Sequence, residues 1–172
     1  ILGEAGSKGT GMWTVQEALS LGVPLPTIAQ AVFARDLSCR AQVRAAMSRQ
    51  AAPHELPAPD RDAFAEKIRR ALYASKLCSY AQGFELLHQA SQHYHWDLDL
   101  GGIALLFRGG CIIRAAFLDD IPRAYEADPD LPLLLAAEPF ATRFQECTPA
   151  LRRVVAQAAL AGVPIPVFAS SL

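Results

Sequence analysis

Charge bias is missing: 16 lysines and arginines face 17 aspartates and glutamates in 172 residues, a net charge of -1. Near-neutrality gives no electrostatic basis for binding nucleic acid or an anionic membrane. Paired cysteines are also missing. Cys39, Cys78, Cys111 and Cys147 lie far apart with no Cys-x-x-Cys spacing, so they read as reduced core thiols of a cytoplasmic protein, not as a disulfide framework or a zinc site. No G-x-G-x-x-G occurs, which excludes a dinucleotide fingerprint from this segment. No basic stretch precedes an apolar one, as in a signal peptide, and Ile1 is not an initiator methionine; the sequence reads as a fragment. The longest uncharged run, Val154 to Leu172, is cut by Gly162, Pro164 and Pro166. It reads as a buried helix, a turn and a second helix start, with no membrane span.

What is present is helical periodicity. "MWTVQEALSL" carries apolar residues at helical spacing and stops at Gly22, a suitable residue just past a helix end. Pro26 suits a first helical position, and a second helix could run from there to about Arg49. "QAAPHELPAPD" holds three prolines and reads as a surface connection. From Asp62, residues Phe64, Ile68, Leu72, Ser75, Ser79, Gln82 and Leu86 recur every three or four positions without a proline until past Trp96. That predicts a helix of about 33 residues and about 50 Å. Its middle, Ala71 to Gly83, has small residues on several faces, so the helix should be central, with a symmetry mate covering part of it. Further on, a short helix is expected around Ile103 to Phe107, capped by Asp97 or Asp99, with another from Cys111. The last third reads as short helices separated by prolines. No stretch alternates as a strand does, so the fold class is all-α.

The histidines of "HQASQHYHW" invite a metal reading, but at about 100° per residue His88 and His95 share a helix face while His93 points away. With no matching ligands nearby, no metal site is expected. Arg108 and Arg114 flank "GGCII"; without a Walker lysine or a preceding strand this is no phosphate loop, and the two arginines are expected to tie helices together.

Two stretches echo each other. "TVQEALSLGVPLPTIAQAV" and "VVAQAALAGVPIPVFASSL" align without gaps at an offset of 140 residues, far longer than a solenoid repeat. They read as a pseudo-repeat of a multi-helix unit.

The opening "ILGEAGSKGTGMWT" places Lys8 and Thr10 between glycines just where a helix begins. A solvated lysine and a capping threonine would account for both. So would an anion site, because glycines let backbone N–H groups approach a ligand and a helix N-terminus favours negative charge.

Taken together, "KGTGMWT", "GVPLPTIAQAVFAR", "RRALYASKLCSYAQGFELL", "WDLDLGGIALLFRGGCIIRAAFL" and "AGVPIPVF" resemble the helical C-terminal domain of 6-phosphogluconate dehydrogenase, in the family's order, over residues 1–172. The sequence departs from that pattern in the proline-rich connection and at Met12, where the family suggests lysine or arginine. The resemblance implies metal-free, NADP-dependent oxidative decarboxylation of 6-phosphogluconate to ribulose 5-phosphate and carbon dioxide. It also implies a cytoplasmic homodimer. NADP, the lysine base and the glutamate acid would belong to a preceding Rossmann domain or its junction. Carried onto this sequence, Lys8, Thr10 and Arg35 would contact the phosphorylated end of the substrate. Charge-assisted donors, arginine above all, suit a phosphate. The segment alone is then expected to be inactive. A free-standing, non-catalytic dimerisation module is the contrasting reading. A related hydroxyacid dehydrogenase domain is another; the pairing of Lys8 with Arg35 argues against an unphosphorylated substrate.

Overall fold

The computed structural model describes residues 3–50 and 60–172. Among them there are eight α-helices and no strand, in agreement with the all-α expectation. In chain order these are α1 (Thr10–Leu21), α2 (Pro26–Ser38), α3 (Ala41–Ser48), α4 (Arg61–Tyr94), α5 (Leu100–Leu106), α6 (Asp120–Ala127), α7 (Phe140–Leu160) and α8 (Pro166–Ala169). Short 3-10 turns occupy Ala116–Asp119 and Leu134–Ala136. The proline-bearing connection lies, at residues 51–59, outside the described residues.

The axis of the fold is α4, 34 residues long. Asp60 starts it by accepting hydrogen bonds from the Asp62 and Ala63 N–H groups at 3.0 and 3.1 Å. His95, left-handed at φ 58°, ends it. The small residues expected in its middle have distinct uses. Ala71 and Ala74 are fully buried and receive Cys147, Leu151 and Val154 of α7. Leu77, Ala81 and Phe84 enter the main core with Phe117, Leu118, Ile121, Leu134 and Phe140. Ser75 and Cys78 reach the chain's last residues: Ser75 Oγ lies 2.7 Å from Ser171 Oγ, and the Cys78 thiol donates to the Ser171 carbonyl at 3.4 Å. Gln82 clasps α2, accepting from the Thr27 N–H and donating to its hydroxyl, both at 3.0 Å. One helix thus meets apolar neighbours on some faces and polar ones on another, and small side chains permit both approaches. Within this chain Leu72 stays 56% exposed.

Several boundaries differ from the expectations. The helix expected to run from Pro26 to about Arg49 breaks at Cys39–Arg40, giving α2 and α3. No glycine or proline stands at the break; Ser38, the last residue of α2, donates its hydroxyl to the Arg35 carbonyl at 2.6 Å, a local bond of the kind that competes with the helical backbone. No α-helix begins at Cys111. Ile112 is fully exposed while Phe117 and Leu118 are buried, so the apolar run at 111–113 is not a core face, and α6 begins only at Asp120. The final third is not a set of short helices split by prolines. α7 runs 21 residues straight through Pro149. An interior proline costs about 3 kcal/mol; the burial of Phe140, Ala150, Leu151 and Val154 on the same helix exceeds that. Nor are all four cysteines core thiols: Cys78 and Cys147 are buried, Cys111 is half-buried and Cys39 is exposed, all four being free. Asp99, not Asp97, caps α5, accepting from the Gly102 N–H at 2.9 Å.

Candidate functional site

The glycine-rich loop ahead of α1 lies against the second half of α2. At one end, the Ala5 N–H donates to Ser38 Oγ at 2.9 Å, and the Cys39 thiol reaches the Ala5 carbonyl at 3.5 Å. At the other, Gly11 sits so close to α2 that a Cβ there would meet Val32 Cγ2 at 3.1 Å. The two anchor points, Val32 and Ser38, are about 9 Å apart along the helix axis. Arg35 lies midway in sequence between them on α2, and Lys8 lies midway in sequence between Ala5 on the loop and Gly11 in the first turn of α1. The segment from Ala5 to Gly11 therefore passes the part of α2 that carries Arg35, in the opposite chain direction.

Gly9 begins α1 in a left-handed conformation, φ 93°, and no side chain caps the helix. Thr10 is consequently the first helical residue and not the cap. The first helical hydrogen bond runs from the Trp13 N–H to the Gly9 carbonyl at 3.0 Å, so the N–H groups of Thr10, Gly11 and Met12 precede the helical ladder. Such a terminus carries partial positive charge and donors directed outward. No acidic residue occupies the first turn of α1. Lys8, Thr10 and Arg35 are all exposed. Among the described residues the ion pairs join Glu66 to Arg69 and Arg70, Arg108 to Asp119, and Asp120 to Arg123 and Arg143; Lys8 and Arg35 belong to none. Arg35 also lies in the last turn of α2, where a cation suits the helix dipole. That accounts for its charge but not for the loop fastened on both sides of it.

A cavity of about 550 Å3 lies elsewhere, lined by His88, Asp97, Asp99, Glu126 and Asp130 among others. Its carboxylates have the wrong sign for an anion. His88, in its lining, pairs with Gln92 Nε2 at 2.7 Å, and His95 closes α4. Arg108 ties the end of α5 to Asp119 at 2.8 Å, as expected of it. Arg114 contributes only its carbonyl, which accepts from Lys76 Nζ at 3.3 Å. The sequence reading missed Ser38 and Cys39, which have no periodic or motif signal; their importance shows only in what they hold.

The family profile "6-phosphogluconate dehydrogenase, C-terminal domain" matches residues 1–172. The NADP(+)-dependent, decarboxylating 6-phosphogluconate dehydrogenase of Bacillus subtilis is 48% identical over 174 residues. The decarboxylating enzyme of Escherichia coli K12 is 49% identical over 173 residues. Each match covers 100% of this chain and 37% of the relative. The structure of 6-phosphogluconate dehydrogenase from Plasmodium falciparum, described in its apo form and with NADP+ or 6-phosphogluconate, superposes with a TM-score of 0.91 at 42% identity. That match covers 99% of this chain and 37% of the other. The chain thus spans little more than a third of the proteins it matches, and it belongs to the 6-phosphogluconate dehydrogenase C-terminal domain family.

Proposed function

We propose that this segment is the helical domain of an NADP-dependent, decarboxylating 6-phosphogluconate dehydrogenase, and that Lys8, Thr10 and Arg35 hold the phosphate of 6-phosphogluconate. The observation that supports the site is the approach of the chain to α2 on both sides of Arg35, at Ala5 and at Gly11, with Lys8 midway in sequence between the two. A phosphate placed there would meet a guanidinium able to give two parallel hydrogen bonds, an ammonium, a hydroxyl and the amide groups opening α1. Binding the end of the substrate remote from the reacting carbons orients it without taking part in the chemistry. Met12 supplies apolar surface, 46% exposed, in place of a further cation.

No residue of this segment is assigned to hydride or proton transfer. NADP would be held mainly by a preceding domain, and the chemistry would be carried out there, so the 172-residue segment alone is expected not to turn over substrate. The same proposal includes a cytoplasmic homodimer; a second copy would cover the apolar side chains left on α2 and α4, where Phe33, Leu37, Ile68 and Leu72 are each more than 40% exposed. Such stripes mark surfaces that a partner covers. No helix among the described residues is long and apolar enough to cross a membrane.

The test is Arg35→Ala in the full-length enzyme. It should raise KM for 6-phosphogluconate, with a loss of about 2–3 kcal/mol in kcat/KM, and leave KM for NADP unchanged. Unaltered substrate kinetics would overturn the site.

A further inference from the structure

The proposed phosphate residues lie on two separate pieces of chain, so something must set the loop against the helix. Ser38 touches both. Its oxygen accepts from the Ala5 N–H at 2.9 Å, on the loop, and donates its single proton to the Arg35 carbonyl at 2.6 Å, on the helix. An amide can only donate and a carbonyl can only accept, which fixes the direction of both bonds. The next side chain completes the grip, with the Cys39 thiol reaching the Ala5 carbonyl at 3.5 Å. Two consecutive residues at the end of α2 thereby engage both backbone polar groups of a single loop residue. Little apolar packing could do this work instead: Gly3, Glu4, Ala5, Gly6, Ser7 and Lys8 are all exposed.

We propose that Ser38 is a positioning residue for substrate binding, fixing the loop that carries Lys8 to the helical turn that carries Arg35. The proposal rests on the phosphate reading above. Without the hydroxyl, the segment keeps the close approaches of Gly11 to Val32 and of Gly3 to Arg44 and the weaker thiol contact, and Lys8 samples a wider range of positions. Substrate must then order the loop as it binds. Because Ser38 is not among the groups assigned to the substrate, the effect should fall on KM and not on kcat.

In the full-length enzyme, Ser38→Ala is expected to raise KM for 6-phosphogluconate about fivefold, the size of one neutral hydrogen bond, with kcat held within about twofold. Amide exchange at Ala5 should quicken. Ser38→Thr keeps the hydroxyl and should restore both readouts. Arg35→Ala, measured in parallel, separates the two ideas. If Arg35→Ala raises KM and Ser38→Ala does not, the positioning role is overturned and the phosphate site stands, whatever exchange at Ala5 shows. If Arg35→Ala leaves KM unchanged, the phosphate site falls and the role of Ser38 falls with it. A Ser38→Ala enzyme whose kcat drops as far as its KM rises, or a Ser38→Thr enzyme that stays impaired, also overturns the assignment.

Discussion

The two ends of this molecule are built on different terms. The part around α4 and α7 is a packed core in which Leu77, Leu118, Ile121, Leu134, Phe140 and Leu151 are almost completely buried. The part made by α1, α2 and α3 buries Ala18, Val23, Leu25 and Thr27, and nothing from α3. It leaves Trp13, Phe33, Leu37, Val43 and Met47 more than half exposed. Polar bonds do much of its fastening: Thr27 to Gln82, Tyr94 to Glu17 at 2.7 Å, Ser38 to Ala5. The proposed phosphate residues are on this second, thinner part. Folding energy and ligand recognition are thus assigned to different helices, and a substitution should disturb one without the other.

The largest expected effect tests that division directly. Leu151→Ala empties a fully buried position between α4 and α7 and should destabilise the chain by about 2–5 kcal/mol in urea unfolding. Val43→Ala, on α3, which buries no residue, should change it by less than about 0.5 kcal/mol. Comparable losses from the two would abolish the distinction.

A smaller effect concerns acid. Burial pushes the Asp120 carboxyl up, but hydrogen bonds and charge from Arg143 and then Arg123 outweigh it and hold the group below its ordinary value. A lowered value in the folded state means that the unfolded chain takes up the proton first as pH falls. The stability contributed is complete above about pH 4 and is lost as pH drops through the folded-state value. Asp120→Asn should cost about 1–3 kcal/mol at neutral pH, and its stability should fall less steeply than wild type between about pH 5 and pH 3. Parallel pH profiles would remove Asp120 from the account of the core.

The smallest perturbation is chemical labelling. Burial pushes the Cys78 thiol up to about 11, whereas Cys39 is exposed at the end of α2. At mildly alkaline pH an alkylating reagent should modify Cys39 promptly and Cys78 only when the core opens. Equal rates would show that the core does not shield Cys78.

How much of this could be read in the sequence follows the same division. The long helix was legible from Phe64 to Leu86 because a single spacing of apolar and small residues persists over many turns. Pro26 and Gly22 were legible because each is a local steric matter, and the lack of strands among the described residues because no stretch alternates. The helix through Pro149 was not, since tertiary burial of Leu151 and its neighbours overrides a local penalty. The break at Ser38 was hidden for the opposite reason. A serine in a helical run carries no mark of the distant residue its hydroxyl will hold. Lys8 and Arg35 are proposed as partners on the family resemblance, because 26 residues of chain lie between them and no local pattern links a loop to a helix at that distance.

The echoing turns lead to a different kind of conclusion. Gly22 and Gly162 have φ of 71° and 68°. Val23 and Val163 each donate to a carbonyl five residues back, at 2.8 Å in both cases. Leu25 and Ile165 take φ, ψ of -124°, 48° and -130°, 62° before the proline that opens the next helix. The surroundings nevertheless differ, for Val23 is 7% exposed and Val163 is 53% exposed. Matching geometry in unlike environments means that Gly-Val-Pro-x-Pro carries its own instructions: a left-handed glycine, then two prolines that restrict the residues around them. Such a corner is portable. Grafted between two unrelated helices in a designed protein, it should impose the same bend without borrowing a core to enforce it, as a mitre joint keeps its angle in any frame.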